Sequence, residues 1–193
     1  MTSLVGSGGE AIELPVGRWR GAPDGVELAL LDTLADPVLD VGCGPGRIVA
    51  ALGAAGRPAL GVDPSPAAVA EAVRRRAPVL ARSVFSPLPG EGRWGTVLLL
   101  DGSIGISGDP EALLRRAGRL VRPRGEVVAE VEPPGAPTGP MTARLASARG
   151  LSPWFAWARV GADGFEPLAT GAGLTAIIVA AAGERWFGRA ARP

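Results

Sequence analysis

Three glycines at every second position follow an acidic residue in the segment PVLDVGCGPGR, residues 37–47. The apolar run before the acid is typical of a buried parallel strand, and glycines just past such a strand let the backbone turn sharply and approach a ligand closely. The helical pattern that follows would present free N–H groups and a positive dipole end to a carboxylate or phosphate. The segment therefore predicts a site for a nucleotide-type cofactor.

The spacing of the glycines separates two kinds of cofactor. A dinucleotide fingerprint requires G-x-G-x-x-G, whereas Gly42, Gly44 and Gly46 are evenly spaced and Asp40 lies two residues before the first of them. The pattern disfavours a nicotinamide-dependent oxidoreductase, which is kept as a less favoured alternative.

The run VLDVGCGPGR, residues 38–47, resembles motif I of the class I S-adenosylmethionine-dependent methyltransferases. The resemblance implies S-adenosylmethionine as the cofactor and methyl transfer as the activity. It also implies a role in cofactor binding for the acid and the loop that follows it. These residues are Asp40, Gly42, Cys43, Gly44 and Gly46.

A second acid ends the next predicted strand, 58–62, and is followed by Pro64, Ser65 and Pro66. In the family that the chain resembles, an acid here binds the two ribose hydroxyls, because a charged acceptor holds a hydroxyl pair firmly. We therefore expect Asp63 and Pro64 to border the cofactor. Alternatively, Asp63 caps the helix that begins near Pro66, and the two roles are compatible.

The segment after the third predicted strand, 78–82, has no acid. The family commonly places an acid there for the adenine amino group, beside an apolar residue that packs on the ring, but this chain has Ser83, Val84, Phe85 and Ser86. We expect Ser83, Val84 and Phe85 to face adenine. The alternative is a plain turn with Phe85 in the core.

Asp101 and Gly102 end the fourth predicted strand, 94–100, which the resemblance places beside the transferable methyl group. Gly102-Ser103 replaces the Pro-Pro pair of enzymes that methylate nucleobases, so base methylation is disfavoured. Asp101 is the candidate catalytic residue, as a proton acceptor that also lines the cofactor site; alternatively it only shapes an Asp-Gly turn. Any general base must be Asp or Glu, since the chain has no histidine.

The composition excludes several other classes of function. The absence of histidine argues against Ser-His-Asp hydrolysis and His-ligated metals, and a single cysteine rules out a thiolate zinc cluster. The formal charge of +1, from 20 basic and 19 acidic residues, gives no global field for nucleic acid or an anionic membrane. No segment reads as a leader or a bilayer span, so we expect a cytoplasmic protein. The arginines on helical patterns are expected on solvated faces: Arg74, Arg75, Arg76, Arg115, Arg116 and Arg119.

Strands alternating with helical patterns predict an α/β fold with a parallel sheet. The resemblance implies a Rossmann-like doubly wound sheet of about seven strands, mostly parallel, with an antiparallel last strand. We expect one domain, 1–193: a tail and helix (1–36), a cofactor-binding half (37–132), an arm (133–160), and a helix with a hairpin (161–193). Residues 1–10 are expected to be mobile. The predicted helices are 24–34, 46–55, 66–76, 109–121, 142–148 and 163–172, and the remaining predicted strands are 126–132, 174–181 and 185–191.

We expect transfer of the methyl group to a small molecule by in-line displacement, which needs positioning and a desolvated pocket more than reactive side chains. Trp19, Trp154, Phe155 and Trp157 could form an apolar lid over this acceptor, although such aromatic residues more often belong to a core. A methyltransferase fold that binds the cofactor without turnover is the main alternative. Protein and RNA acceptors stay open, and the oligomeric state is not predicted.

Overall fold

The computed structural model describes residues 2–148 and 150–193, which form two sheets and the helices around them. The helices are α1 (Val16–Arg20), α2 (Gly25–Asp32), α3 (Arg47–Ala54), α4 (Pro66–Arg74), α5 (Pro110–Leu120) and α6 (Ala162–Gly171), with a 3-10 segment at Ser103–Gly108. The strands are β1 (Thr2–Gly6), β2 (Ala11–Glu13), β3 (Val38–Val41), β4 (Ala59–Asp63), β5 (Val79–Ala81), β6 (Trp94–Leu99), β7 (Val121–Val131), β8 (Gly139–Ser147), β9 (Gly150–Leu151), β10 (Phe155–Arg159), β11 (Thr175–Ala182) and β12 (Arg185–Ala191).

The larger sheet has seven strands in the order β11-β12-β7-β6-β3-β4-β5. The five strands from β7 to β5 are parallel, whereas β12 is antiparallel to β7 and β11 is antiparallel to β12. The central strands β3 and β6 are buried along their whole length, as continuous apolar runs in a covered parallel sheet should be. The predicted fold class is confirmed.

Helices cover both faces of this sheet. Successive side chains along a strand point to opposite faces, and both faces are apolar, so each packs in a separate core. Val97 and Leu99 of β6 pack in one core with α5 and α6, while Leu98 packs in the other with α2 and α3. Helix α2 begins at a capping box, since Asp24 accepts from the Glu27 N–H at 2.9 Å and Glu27 accepts from the Asp24 N–H at 3.0 Å. The strand order reverses between β3 and β6, which is where ligands bind in open α/β sheets.

The smaller sheet is antiparallel, with the order β10-β8-β1-β2 and β9 paired to β8. Two expectations are wrong here. Residues 2–6 are not a mobile tail, because β1 pairs with both β2 and β8. Residues 142–147 are not a helix but part of β8, since pairing with β1 and β10 on either side outweighs local helical preference.

The remaining boundaries differ little from those predicted. Strand β7 begins at Val121, before the predicted start, and runs for 11 residues. No helix joins β5 to β6. Among the described residues, no helix has both the length and the apolar character that crossing a bilayer requires.

Candidate functional site

The glycine loop after β3 contains three left-handed residues with different surroundings. The φ angles of Gly42, Gly44 and Gly46 are 69°, 53° and 74°. A Cβ on Gly42 would lie 2.5 Å from the Ser103 hydroxyl, and one on Gly46 would lie 2.9 Å from two alanine side chains of α4 and the loop after it. A Cβ on Gly44 would meet no protein atom within 4 Å. Two of the glycines therefore allow close packing, and the middle one borders open space.

The carboxylate of Asp63, at the end of β4, closes onto this loop. Its Oδ2 accepts from the Gly44 N–H at 3.0 Å and its Oδ1 accepts from the Ser65 N–H at 2.8 Å. The N-cap of α4 is Ser65, whose hydroxyl accepts from Ala68 at 3.3 Å, so Asp63 supports the helix start without being its cap. Pro64 is exposed beside it. The end of β4, which carries Asp63, thus meets the glycine loop that follows β3.

Asp40 is buried beneath the loop, and its side chain makes no hydrogen bond to the described residues. Burial raises the pKa of Asp40 to about 7, with a further increase from the Asp101 carboxylate and opposition from Arg47. Cys43 in the loop is also buried, and it packs so closely on Gly61 that a Cβ there would lie 2.6 Å from its sulfur. Burial raises the pKa of the Cys43 thiol, which makes it unsuited to act as a nucleophile.

Asp101 is held in a network of ion pairs that the sequence did not predict. One carboxylate oxygen accepts from Arg18 of α1, and the other accepts from Arg47 Nη2 of α3 at 2.6 Å. The backbone at Asp101 is left-handed, with φ 54°, and its N–H donates to Glu130 at 2.9 Å. Gly102 follows in an exposed left-handed conformation. Both Asp101 oxygens are therefore engaged by guanidinium groups.

The network continues to a completely buried carboxylate, Glu27 of α2. Arg47 and Arg185 both donate to Glu27, the latter at 3.0 Å, and Arg185 also donates to Glu130 at 2.7 Å. Burial alone would lower the pKa of Arg47, but the contacts with Glu27 and Asp101 outweigh it and raise that pKa. Complete pairing is what makes buried charges tolerable. The residues missed from the sequence are therefore Arg18, Glu27, Arg47 and Arg185.

The segment after β5 exposes an aromatic ring. Val84 is buried in the core, whereas Phe85 is 44% exposed, so the alternative with Phe85 in the core is wrong. The Ser83 hydroxyl accepts from the Phe85 N–H at 3.3 Å, which folds the segment into a turn. Among these residues, Phe85 is the one whose ring is open to contact.

Arg116 of α5 holds this segment in place. Its guanidinium donates to the carbonyls of Val84 and Ser86, both at 2.9 Å, and to Glu91 at 2.6 Å. The bonds from Arg116 and from the Leu88 N–H lower the pKa of Glu91 to about 2. The expectation of a solvated Arg116 is wrong, since only 14% of its side chain is exposed.

Helix α1 approaches the same end of the sheet from the N-terminal side. Its last residue, Arg20, pairs with Glu71 of α4 at 2.9 Å. Two buried N–H groups on α1, Arg18 Nε and Trp19 Nε1, have no hydrogen-bond partner within the described structure. Such donors are costly unless a ligand or water satisfies them. They point to a polar ligand group next to α1.

The aromatic residues of the predicted lid do not form one surface. Phe155 and Trp157 of β10 meet edge to face, with ring centroids 6.0 Å apart. Trp154 is 47% exposed and lies under the Arg144 guanidinium, 4.4 Å from its ring centroid. Within residues 2–148 and 150–193, no group of three or more His, Cys, Asp or Glu residues could hold a metal ion.

A family model described as a methyltransferase domain matches residues 18–168, which include the glycine loop, Asp63 and Asp101. The chain belongs to this methyltransferase family. The resemblance seen in the sequence is thereby confirmed. The matched region begins within α1, a helix that was not predicted from the sequence.

The methyltransferase domain is similar to several solved structures at low sequence identity. A SAM-dependent methyltransferase from Bacteroides fragilis, in complex with S-adenosyl-L-homocysteine, has a TM-score of 0.79 at 20% identity, covering 98% of this chain and 86% of that one. The CcbJ methyltransferase from Streptomyces caelestis has a TM-score of 0.66 at 16% identity, covering 94% and 97%. A Burkholderia thailandensis 1,6-didemethyltoxoflavin-N1-methyltransferase has a TM-score of 0.61 at 22% identity, covering 86% and 76%. These similarities establish a shared fold.

A curated relative of the methyltransferase domain is an uncharacterized protein of Mycobacterium tuberculosis, 33% identical over 121 residues. The match covers 63% of this chain and 40% of the relative, so the chain spans less than half the length of that protein.

Proposed function

We propose that the chain binds S-adenosylmethionine and transfers its methyl group to a small-molecule acceptor by in-line displacement. The observation that carries the proposal is the open space in front of Gly44, next to the Asp63 carboxylate. A left-handed glycine facing no protein atom lets a ligand approach the backbone, and an adjacent carboxylate can accept hydrogen bonds from the hydroxyls of its sugar. Family membership supports the same activity.

The described residues fit the nucleoside part of this cofactor. Each Asp63 oxygen accepts one backbone N–H, which leaves acceptor capacity for two ribose hydroxyls. The exposed Phe85 ring and the Ser83 turn are proposed to contact adenine, with Arg116 fixing the segment. Gly42, Cys43 and Gly46 shape the loop, and Pro64 lies at its rim.

The amino-acid part of the cofactor carries a carboxylate and an ammonium group. The unpartnered N–H groups of Arg18 and Trp19 are proposed to donate to the carboxylate, which would satisfy both of them. Asp40 has no hydrogen-bond partner in the described residues, and a cation bound near it would favour its ionised form. The residues present therefore match both charges.

When bound, S-adenosylmethionine supplies an activated methyl group, so the protein needs chiefly to orient the acceptor and exclude water. We propose that Asp101 and Gly102 line this position. Arg18 and Arg47 each donate to one oxygen of Asp101, which fixes the orientation of this carboxylate beside Gly102. Relatives with small acceptors, such as the didemethyltoxoflavin enzyme, support a small molecule as the acceptor.

Calorimetric titration with S-adenosylhomocysteine tests the proposed cofactor site. Asp63→Asn removes a charged acceptor and should weaken binding by about 1–3 kcal/mol. Gly44→Val should abolish binding, since it fills the open space at a φ of 53° that valine rarely adopts. Melting temperatures of both variants separate lost binding from lost folding.

Asp36→Asn is the matched control for this titration. Asp36 pairs with Arg57 at 2.8 Å just before β3, at the opposite end of the strand from the loop, so its removal should leave the affinity unchanged. Full affinity in folded Asp63→Asn and Gly44→Val proteins would contradict the site. Tight binding of NAD(H) without any response to S-adenosylhomocysteine would contradict the choice of cofactor.

A further inference from the structure

Trp157 of β10 lies against the loop that follows β6. Gly102 precedes the 3-10 segment there, and Gly105 and Gly108 within the segment pack so closely on β10 that a side chain at either position would crowd it. A Cβ on Gly105 would lie 2.8 Å from two atoms of the Trp157 indole, and the nearest atom to a Cβ on Gly102 is Cζ2 of Trp157, at 4.0 Å. The indole therefore adjoins the residue directly after Asp101.

Phe155 fixes the orientation of this indole. The two side chains are two residues apart on β10 and project from the same face of the strand. Their rings cross at 83° in an edge-to-face contact. Both side chains are only partly buried, and within the described structure the Trp157 indole N–H makes no hydrogen bond. The ring is thus held rigidly and still offers surface.

Three carboxylates at the ends of β6 and β7 are all paired with guanidinium groups. Asp101 is engaged by Arg18 and Arg47, and Glu130 is engaged by Arg185. Glu132, at the end of β7, is paired with Arg159. A cationic or polyhydroxylated acceptor would compete with these ion pairs for the carboxylates, whereas a flat apolar ring needs only contact with the indole.

We propose that Trp157 determines acceptor specificity by packing its indole against an aromatic ring of the methyl acceptor. This inference rests on the proposed function, since it assigns the acceptor side of the same site. The smaller sheet then serves as the acceptor-binding element, and Phe155 is a positioning residue for Trp157. Stacked and edge-to-face aromatic contacts give such a pocket both affinity and a preferred ring orientation.

Saturation-transfer NMR with protein saturated by S-adenosylhomocysteine tests this assignment. The probes are quinoline, indole and catechol, with glucosamine as the polyhydroxylated comparison. We expect signals from the aromatic probes in the wild type, a loss of at least fivefold in Trp157→Ala, and substantial retention in Trp157→Phe. Trp154→Ala is the matched control, since Trp154 is exposed three residues away and packs under Arg144.

Three results would overturn the inference: no aromatic probe binds the wild type, Trp157→Ala retains the full signals, or glucosamine binds as well as the aromatic probes. Calorimetry with S-adenosylhomocysteine distinguishes these from failure of the proposed function. We expect Trp157→Ala to bind S-adenosylhomocysteine with an affinity within about twofold of the wild type. If the wild type does not bind S-adenosylhomocysteine, the proposed cofactor site is wrong. Titration of the aromatic probes without S-adenosylhomocysteine then still tests the role of Trp157.

Discussion

The most unusual single residue is Asp40, a carboxyl group buried without a hydrogen-bond partner among the described residues. Burial and the neighbouring acids raise its pKa to about 7, far above the ordinary value of 3.8. At a pH between these two pKa values, the folded protein still holds the proton of this carboxyl group. The unfolded chain has already released it. Stability from this group is therefore present at low pH and decreases as pH rises toward 7.

Asp40→Asn should remove this pH dependence, because an amide is neutral throughout. As pH increases from 4 to 8, we expect the unfolding free energy of the variant to rise relative to that of the wild type. The difference should reach about 1–4 kcal/mol, since one pKa unit corresponds to about 1.4 kcal/mol. Urea unfolding of both proteins at each pH measures the difference. Parallel stability curves across this range would show that Asp40 ionises normally in the folded protein.

At the scale of elements, α5 controls the conformation of the segment between β5 and β6. That segment has no helix of its own, and its carbonyls at Val84 and Ser86 are held by one guanidinium, that of Arg116. Arg82 and Trp94 hold carbonyls farther along the segment, at Pro87 and Pro89, so the loss of Arg116 should loosen its first part while the sheet beneath is unaffected. The proposed adenine contacts at Ser83 and Phe85 depend on this anchor.

Arg116→Met keeps the apolar stem of the side chain and removes its donors. We expect faster amide hydrogen exchange across residues 83–91, a loss of about 1–3 kcal/mol in unfolding free energy, and weaker binding of S-adenosylhomocysteine. Hydrogen exchange detected by mass spectrometry measures the first effect independently of any ligand.

Arg115→Met is the matched control for the α5 anchor. Arg115 pairs with Glu111 on the exposed side of α5, an i,i+4 contact worth little to stability. Its replacement should leave exchange across 83–91 unchanged. Equal exchange in the two variants would mean that the segment keeps its conformation without Arg116.

At the scale of the whole molecule, the two sheets meet where the 3-10 segment after β6 packs on β10. Gly105 is buried at this contact, and a Cβ there would collide with the Ala158 carbonyl and the Trp157 ring. The smaller sheet also joins distant parts of the chain, since β1 pairs with β8 along all of Thr2–Gly6. The glycine contact is therefore one of the places where the smaller sheet is held against the larger one.

Gly105→Ala should destabilise the protein by about 1–3 kcal/mol, because a methyl group cannot enter this contact without separating the sheets. Gly53→Ala is the matched control, since Gly53 lies in α3 with no atom within 4 Å of an added Cβ, and alanine favours a helix. Thermal unfolding of the two variants measures the difference. A Gly105→Ala protein as stable as Gly53→Ala would contradict tight docking of the sheets.

The parallel part of the larger sheet and the two acids at its edge could be predicted from local sequence pattern, whereas its antiparallel hairpin followed only from the family resemblance. Strand, glycine loop and helix are neighbours along the chain at Asp40–Gly46, and Asp63 follows one crossover later, so local pattern and right-handed winding are sufficient. The left-handed glycines and the strand ends were predictable for the same reason.

The charge network and the smaller sheet depend on contacts between segments that are far apart in the chain. Arg18 and Asp101 are 83 residues apart, and Arg47 and Asp101 are 54 apart, so no spacing in the sequence pairs them. Strand β8 looked helical because its partners β1 and β10 lie outside any local window. Long-range pairing selects among the conformations that a short segment permits, and the residues around the proposed acceptor position come together through such pairing.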